Sequence, residues 1–301
     1  MRAVDLFAGA GGWSTGATVA GLTVVAAVNH WRTAVDSHEA NHPAARHYCQ
    51  DATLLDPRLL PAFDVLLASP ACTGHTKARG TDKPHHDASR STAWCVVNVA
   101  EVCRPKWLFI ENVPEFQDWA CYNAWRSALR ALGYQFAPTL ILSAADYGVP
   151  QERVRLYLVA RHGLQTPRVA LPAPTPHIPA STTIDWHSGT WSPIASDGRA
   201  EATLRKAARC RELWGERSFV RYNGSATSGR PVTAPWGTLT TVDRFGILQG
   251  DMMRMPTITE YKRAMGFPES TILTGTRREQ TAQLGNAVCP PVATAIISST
   301  L

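Results

Sequence analysis

Residues 3–16 read AVDLFAGAGGWSTG, a short apolar run that leads into a glycine-rich turn and then into a helical pattern. Gly9, Gly11 and Gly12 let the backbone of this turn approach a ligand closely, because glycine has no Cβ. The turn lacks both the GxGxxG pattern of dinucleotide sites and the GK[ST] ending of phosphate loops. The stretch therefore predicts a strand, a turn and a helix, with either a ligand that has no pyrophosphate or a tight turn without a ligand.

Four further apolar runs follow: LTVVAAVNH (22–30), FDVLLAS (63–69), WLFIENV (107–113) and RVRLYLVA (153–160). Helical patterns separate most of them, and this alternation predicts an α/β fold with a parallel, doubly wound sheet. The composition changes after Arg161, where residues 165–193 are rich in Pro, Thr and Ser. We therefore expect a large first domain over residues 1–164, a smaller second domain over residues 165–270, and a C-terminal helix over residues 271–301 that packs back on the first domain.

Composition limits the class of protein only broadly. The chain has 301 residues, 45% hydrophobic content and a net charge of +6, which suits a folded protein with a polyanionic partner but does not require one. Its seven cysteines show no CxxC spacing, so neither a disulfide framework nor a metal site is expected. The N-terminal residues enter a strand at once, without the pattern of a signal peptide, and no apolar run is long enough to span a membrane. We expect a cytoplasmic protein without membrane contact.

Cys72 is a candidate nucleophile because of its position. It lies in SPACTGHT (69–76), directly after the third apolar run. In open α/β sheets, ligands bind outside the carboxyl ends of the strands, so a thiol there faces a substrate. Core packing is the alternative, since most free cysteines are buried.

The polar residues after the second run point to a cofactor. Asn29, His30 and Trp31 occupy the position where doubly wound nucleotide-binding proteins have a polar group that contacts a ribose. Asp51 lies near the end of a short third strand and has a carboxylate that can accept a hydrogen bond from an adenine amino group. These residues predict a nucleoside-type cofactor without a phosphate chain.

Five segments, in this order along the chain, resemble motifs of the DNA (cytosine-5)-methyltransferase family, which uses S-adenosylmethionine. They are DLFAGAGG (5–12), SPACTGHT (69–76), ENV (111–113), QERVR (151–155) and LGNAV (284–288). Residues 258–267 also resemble a family segment, whereas residues 165–230 lack a match and correspond to the family's variable target-recognition region. The resemblance implies a Rossmann-like mixed sheet, with residues 1–164 as the catalytic domain and residues 165–270 as the target-recognition domain.

The resemblance also implies the reaction, which is methyl transfer to carbon 5 of cytosine in a specific sequence of double-stranded DNA, with S-adenosylhomocysteine as the product. Carbon 5 is a poor nucleophile, so a thiolate must first add to carbon 6. Cys72 is the expected nucleophile, and Glu111 is the expected acid at ring nitrogen 3. Arg155 is expected to contact the ring oxygen on carbon 2, while Arg153 holds either the carboxylate or nearby backbone.

The remaining expected contacts fall into two sets. The expected cofactor contacts are Phe7, Ala8, Gly9, Gly11, Gly12, Asn29, His30, Trp31, Asp51, Pro70, Asn286 and Ala287. The target base must leave the stacked duplex to reach a thiol, so base flipping and DNA contacts are also expected. The expected DNA contacts are Lys77, Arg79, Lys83 and Arg90 after Cys72, and Arg221, Arg230, Thr238 and Thr240 in the small domain, with solvated loops and plain surface turns as the alternatives.

The chain departs from the usual family pattern at three positions. Ala71 replaces the proline before the nucleophile, Asn29 replaces an acidic ribose ligand, and Thr73 replaces a glutamine. The leading hypothesis is an active, monomeric restriction-modification enzyme of prokaryotic or phage type. Its rivals are a tRNA cytosine-5 methyltransferase, a catalytically silent DNA-binding homologue, and an oxidoreductase, which the missing pyrophosphate turn disfavours.

Overall fold

The structure, a computed structural model, describes residues 1–71, 92–222 and 229–301. The strands of these ranges are β1 (Arg2–Leu6), β2 (Thr23–Asn29), β3 (Arg46–Cys49), β4 (Val65–Ala68), β5 (Trp107–Asn112), β6 (Tyr134–Phe136), β7 (Leu140–Ser143), β8 (Gln151–Glu152), β9 (Val154–His162), β10 (Ser192–Pro193), β11 (Arg217–Arg221), β12 (Arg230–Pro231), β13 (Trp236–Gly237), β14 (Phe245–Gln249) and β15 (Met252–Arg254). The α-helices of the same ranges are α1 (Gly12–Val19), α2 (Arg32–Asn41), α3 (Trp94–Cys103), α4 (Tyr122–Ala131), α5 (Glu201–Trp214), α6 (Ile258–Met265), α7 (Arg277–Asn286) and α8 (Pro290–Ser298).

The main sheet confirms the expected mixed α/β architecture. Its strand order is β3-β2-β1-β4-β5-β9-β6, and β7 also pairs with β9. The strands from β3 to β5 are parallel, as the alternation of strands and helices predicts. The prediction that the fifth apolar run is also parallel was wrong, because β9 runs antiparallel to β5, β6 and β7. Parallel pairing needs a long crossover, whereas only a short turn and β8 separate β7 from β9.

Both faces of the main sheet are buried. In β4, Val65 and Leu67 face one core layer while Leu66 and Ala68 face the other, which is the period of two that a strand imposes. The first layer also holds Trp13 and the helices α1 and α8. The carboxyl ends of β1, β2, β4 and β5 therefore meet at one edge of a rigid, fully covered sheet. Within the described residues, none of the helices has the length and apolarity needed to cross a bilayer.

A second sheet has the strand order β10-β15-β14-β11-β12, and helix α5 packs against β11. Its own small core contains Ala207, Cys210 and Leu248. It lies within the segment that we expected to form a second domain. However, α6 also falls in that segment, and its buried residues Tyr261 and Met265 belong to the core of the main sheet.

Two helices, not one, form the C-terminal segment. Ala287 is extended, with φ −73° and ψ 151°, and ends α7. Pro290 and Pro291 then occupy the first positions of α8, where their missing N–H groups leave no hydrogen bond unmade. The expectation of a single helix was wrong because these prolines cannot continue a helix that begins before them. Helix α7 packs against α6 and α8 packs against α1, and the link between α7 and α8 lies at the sheet's carboxyl edge.

Candidate active site

A cavity of about 380 Å³ opens at the carboxyl edge of the main sheet. It is bordered by the ends of β1, β2, β4 and β5, by the start of β9, and by residues 283–288 from α7 and the link to α8. The structure brings together most of the predicted site residues on its wall, namely Phe7, Ala8, Gly9, Gly12, Asn29, His30, Trp31, Pro70, Glu111, Arg153, Arg155, Asn286 and Ala287. Sequence reasoning missed Trp13, Ala34, Ser69, Gln283, Gly285 and Val288, which line it as well.

The glycine turn after β1 is built for close packing. Phe7 has φ 69°, which is rare for a residue with a side chain, and Gly9 and Gly11 also have positive φ. A Cβ on Gly12 would overlap the carbonyl oxygen of Val288 and lie 2.9 Å from its carbonyl carbon. Glycine at position 12 thus allows α1 to reach the link between α7 and α8, and this contact closes one wall of the cavity.

Two predicted cofactor residues lie elsewhere. Gly11 faces the rings of His38 and His42, behind the cavity wall. The Asp51 carboxylate accepts hydrogen bonds of 2.8 Å from the backbone N–H and the hydroxyl of Thr53, and these bonds lower its pKa. Asp51 therefore caps a short turn at the surface, and it is absent from the described lining of the cavity.

A chain of hydrogen bonds runs behind the turn and was not predicted. The Ser14 hydroxyl donates to Asp5 Oδ2 (2.7 Å), so its oxygen accepts from His38 Nε2 (2.9 Å), and His38 Nδ1 accepts from His47 Nε2 (2.8 Å). Burial raises the pKa of Asp5 to about 7 and lowers that of His38 well below its usual value. Within the described ranges, no group of His, Cys, Asp and Glu has an arrangement that can hold a metal ion.

Three residues after β2 form the next part of the wall. Asn29 Oδ1 accepts a hydrogen bond of 2.9 Å from the backbone N–H of Trp31. This bond fixes the turn that carries His30 and Trp31 to the cavity. The side chain at position 29, which replaces the family's acidic ribose ligand, thus orients the aromatic residue two positions later.

Glu111 and Arg155 form an ion pair at the other end of the cavity. Glu111 lies in β5 opposite Tyr157 of β9, and Arg155 precedes Tyr157 by two residues, on the same face of the antiparallel pair. Arg155 Nε lies 3.1 Å from Glu111 Oε1, and both side chains are largely buried. The carboxyl group of Glu111 and the guanidinium group of Arg155 therefore lie side by side on the cavity wall.

Arg153 has a different role from its neighbour. Its guanidinium donates to the backbone carbonyls of Leu239 (3.1 Å), Gly285 (2.8 Å) and Ala287 (3.0 Å). Burial lowers the pKa of Arg153 most, and the positive charge of Arg155 lowers it further. Of the two partners that the sequence left open, Arg153 holds backbone, and the carboxylate belongs to Arg155. Arg153 thus joins three segments that are distant in the chain at the cavity wall.

Residues 69–71 lead along the wall towards Cys72. Ser69 Oγ accepts a hydrogen bond of 3.0 Å from Trp13 Nε1, and Pro70 O accepts one of 3.1 Å from Asn112 Nδ2. The predicted residues Cys72, Lys77, Arg79, Lys83 and Arg90, and the variant position Thr73, lie outside the described residues. Cys289, next to the wall residue Val288, is no substitute nucleophile, because burial raises its pKa to about 11.

The four predicted DNA contacts of the small domain make contacts within the chain. Arg230 Nη2 lies 2.9 Å from Glu152 Oε1, and Arg221 lies over the ring of Phe245. The Thr238 hydroxyl donates to the carbonyl oxygen of Glu152 (2.7 Å), and that of Thr240 donates to the carbonyl oxygen of Val242 (2.9 Å). Arg230 of β12 therefore connects the second sheet to β8, which precedes Arg153, and Thr238 follows β13, the strand that pairs with β8.

The cavity fits S-adenosylmethionine in size and in chemistry. Its volume is in the range of small-molecule sites. Phe7 and Trp31 offer aromatic surface for a base, and Asn29 and Asn286 offer neutral polar groups for ribose hydroxyls. Of the described lining residues, Arg153 and Arg155 are already occupied by carbonyls and a carboxylate. The site thus suits a nucleoside cofactor without a phosphate chain.

Comparisons with known proteins agree with this geometry. The profile of the family described as C-5 cytosine-specific DNA methylase matches residues 1–185 and 205–301. Type II methyltransferase M1.HphI of Haemophilus parahaemolyticus is 27% identical over 99% of this chain and 86% of its own length. Type II methyltransferase M.NlaX of Neisseria lactamica is 26% identical over 98% of this chain and 95% of its own length.

Solved structures share the fold. A putative DNA modification methyltransferase encoded within a prophage of E. coli superimposes with a TM-score of 0.74 at 20% identity, covering 99% of this chain and 98% of that one. DNMT2 of Spodoptera frugiperda gives 0.72 at 17% identity, covering 97% of each chain. At these identities the likeness shows the fold alone, and the profile match decides the family. The chain belongs to the C-5 cytosine-specific DNA methylase family and transfers a methyl group from S-adenosylmethionine to carbon 5 of cytosine in DNA.

Proposed function

We propose that this methyl transfer proceeds by base flipping into the cavity and by a transient covalent bond between Cys72 and carbon 6 of the cytosine. The observation that carries the proposal is the Glu111–Arg155 pair, which faces the same cavity as residues 69–71. A flipped cytosine there has a carboxyl and a guanidinium group at one edge, and the same cavity is lined by residues 69–71, which directly precede Cys72 in the sequence. S-adenosylmethionine, when bound, supplies the electrophilic methyl group.

The proposed steps conserve atoms and electrons. The Cys72 thiolate forms a bond to carbon 6, and the electron pair of the ring double bond moves to carbon 5. The Glu111 carboxyl group donates a proton to ring nitrogen 3, and Arg155 donates a hydrogen bond to the oxygen on carbon 2. Once carbon 5 has gained the methyl group, a base removes the proton from carbon 5, the thiolate leaves as the double bond forms again, and ring nitrogen 3 returns its proton to Glu111.

The cofactor half of the cavity has separate roles. Phe7 and Trp31 hold the adenine, and the backbone of the glycine turn faces the cofactor. Asn286 contacts the cofactor from the link between α7 and α8. Asp51 has no role in cofactor binding in this proposal, because its carboxylate is bound to Thr53.

We propose that residues 165–270, which contain the second sheet, recognise the target DNA sequence. The basic residues Lys77, Arg79, Lys83 and Arg90 contact DNA phosphates. Arg221 and Thr240 contact DNA as well, whereas Arg230 and Thr238 act through their contacts to Glu152. We further propose a monomer that acts on double-stranded DNA in the cytoplasm of a prokaryotic or phage-infected cell, since one base-flipping event needs only one copy.

The test uses tritiated methyl-S-adenosylmethionine and double-stranded DNA. Wild-type protein should transfer label to DNA, and bisulfite sequencing should map it to cytosine in one sequence context. Cys72→Ala should abolish transfer, whereas Cys121→Ala, a change at an exposed cysteine, should leave it intact. Undiminished transfer by Cys72→Ala would refute the covalent mechanism. Label that enters tRNA in place of DNA would favour the tRNA alternative, and a wild-type protein without transfer would favour the silent homologue.

A further inference from the structure

Ala71 makes a hydrogen bond that the family's usual residue cannot make. The backbone N–H of Ala71 donates to the Thr92 hydroxyl oxygen at 3.1 Å. Proline has no backbone N–H, so a chain with proline at this position lacks the donor. Alanine at position 71, directly before Cys72, thus provides the donor for a hydrogen bond to Thr92.

This bond completes a set of three. Trp13 binds the Ser69 hydroxyl, Asn112 binds the carbonyl oxygen of Pro70, and Thr92 binds the N–H of Ala71. The Pro70 carbonyl and the Ala71 N–H belong to the same peptide group, so the plane of that peptide is held from both sides. It is the last peptide group before the one that joins Ala71 to Cys72.

Thr92 is itself firmly held. Its carbonyl oxygen accepts from the N–H of Cys95 in the first turn of α3. The carbonyl oxygen of the next residue, Ala93, accepts from the indole N–H of Trp125 at 2.9 Å, and the Trp125 side chain is fully buried. The backbone that carries the Thr92 hydroxyl is therefore tied to the start of α3 and to the buried Trp125.

We propose that Thr92 is a positioning residue for the nucleophile, and that its hydroxyl replaces the conformational restraint that proline supplies elsewhere in the family. Proline limits this backbone by fixing its own φ, whereas here a hydrogen bond orients the same peptide. Thr92 acts on the reaction through the backbone of residue 71 and touches neither substrate nor cofactor. This inference rests on the proposed role of Cys72.

The experiment combines changes at both ends of the bond. Thr92→Val keeps the shape of the side chain and removes the acceptor, Thr92→Ser keeps the acceptor, and Ala71→Pro removes the donor while restoring the family residue. The readouts are kcat and KM for tritium transfer, and the rate at which a duplex with 5-fluorocytosine forms a covalent complex. Fluorine cannot leave as a proton would, so this probe accumulates the adduct and reports on the attack by the thiolate.

Thr92→Val should lower kcat and the rate of adduct formation about 2- to 10-fold, the effect of one hydrogen bond, with the KM for S-adenosylmethionine unchanged. Thr92→Ser should keep the wild-type rates. In the Ala71→Pro background, Thr92→Val should have no further effect on either rate, because no donor remains. Equal loss from Thr92→Val in both backgrounds, or wild-type rates for Thr92→Val alone, would overturn the inference.

Two controls keep the outcomes separate. Thermal unfolding identifies a variant that fails to fold, and if Ala71→Pro does so, the contrast between Thr92→Val and Thr92→Ser decides the question. If wild-type protein is active and Cys72→Ala is not, normal rates for Thr92→Val reject only the role of Thr92. If Cys72→Ala still transfers methyl groups, the proposed mechanism itself fails.

Discussion

Replacement of Gly12 by alanine tests how the cavity wall is built. Gly12 begins α1, and a Cβ there would overlap the Val288 carbonyl oxygen while lying 2.9 Å from the carbonyl carbon and 3.0 Å from the Val288 nitrogen. These atoms belong to backbone that Arg153 holds through the neighbouring Ala287 carbonyl. The contact therefore cannot be relieved by rotation of a side chain.

Two effects of opposite sign compete. Alanine favours helix over glycine by up to about 1 kcal/mol. Relief of the overlap needs a shift of about 1 Å between α1 and residue 288, since nonbonded carbon contacts are optimal near 3.5–4.0 Å. Overpacking of this kind costs roughly 1–3 kcal/mol. The clash should win, so Gly12→Ala should lose about 1–2 kcal/mol of unfolding free energy and, because both residues line the cavity, should bind the cofactor more weakly.

Urea unfolding and calorimetric titration with S-adenosylmethionine measure the two quantities. Val19→Ala is the matched control, because Val19 is an exposed residue at the other end of α1. It should change neither the stability nor the affinity appreciably. A Gly12→Ala protein that unfolds and binds the cofactor like wild type would show that α1 and residue 288 do not pack as described.

Three further predictions concern buried charges. Burial raises the pKa of Asp5 to about 7, so between about pH 4 and pH 7 the folded state holds a proton that the unfolded chain has released. The unfolding free energy of wild type, measured in urea relative to Asp5→Asn, should therefore fall by about 1.4 kcal/mol per pH unit over this range and level off above pH 7. A constant difference from pH 5 to 7 would contradict this. Arg155→Lys loses the planar guanidinium that faces Glu111, so tritium transfer should slow at least roughly tenfold while calorimetric cofactor affinity holds; an unchanged rate would refute its role. Arg254→Met should cost about 3–5 kcal/mol in thermal unfolding because Glu260, fully buried, loses its ion pair, and a stable variant would exclude that account.

The sequence predicts those parts of the fold that depend on local pattern. Buried strands such as β4 and β5 contain apolar runs because both of their faces are covered, and the polar residues Ser69 and Glu111 at the ends of these runs line the cavity. The direction of β9 could not be inferred from its composition, because a buried antiparallel strand and a buried parallel strand read alike. The short connection from β7 was the available signal.

Contacts between distant segments explain the remaining differences. Arg153 binds carbonyl groups of Leu239 and Ala287, and a carbonyl group carries no trace of its partner in the sequence. Asp51 differs in another way. Its position after β3 suggested a cofactor contact, but a carboxylate two residues before Thr53 is also the pattern of a capped turn. The resemblance predicts the residues of the site, and the structure shows that Arg153 binds backbone carbonyl groups while Arg155 pairs with Glu111.

The wall that residues 283–288 contribute sets an order of assembly during synthesis. The ribosome releases the glycine turn first, and the backbone of Val288, which closes against Gly12, emerges 276 residues later. A nascent chain can pair β1 with β2 and β4 long before it can enclose a cofactor. A nascent chain that has released only the glycine turn therefore lacks one wall of the cavity until residue 288 has also emerged.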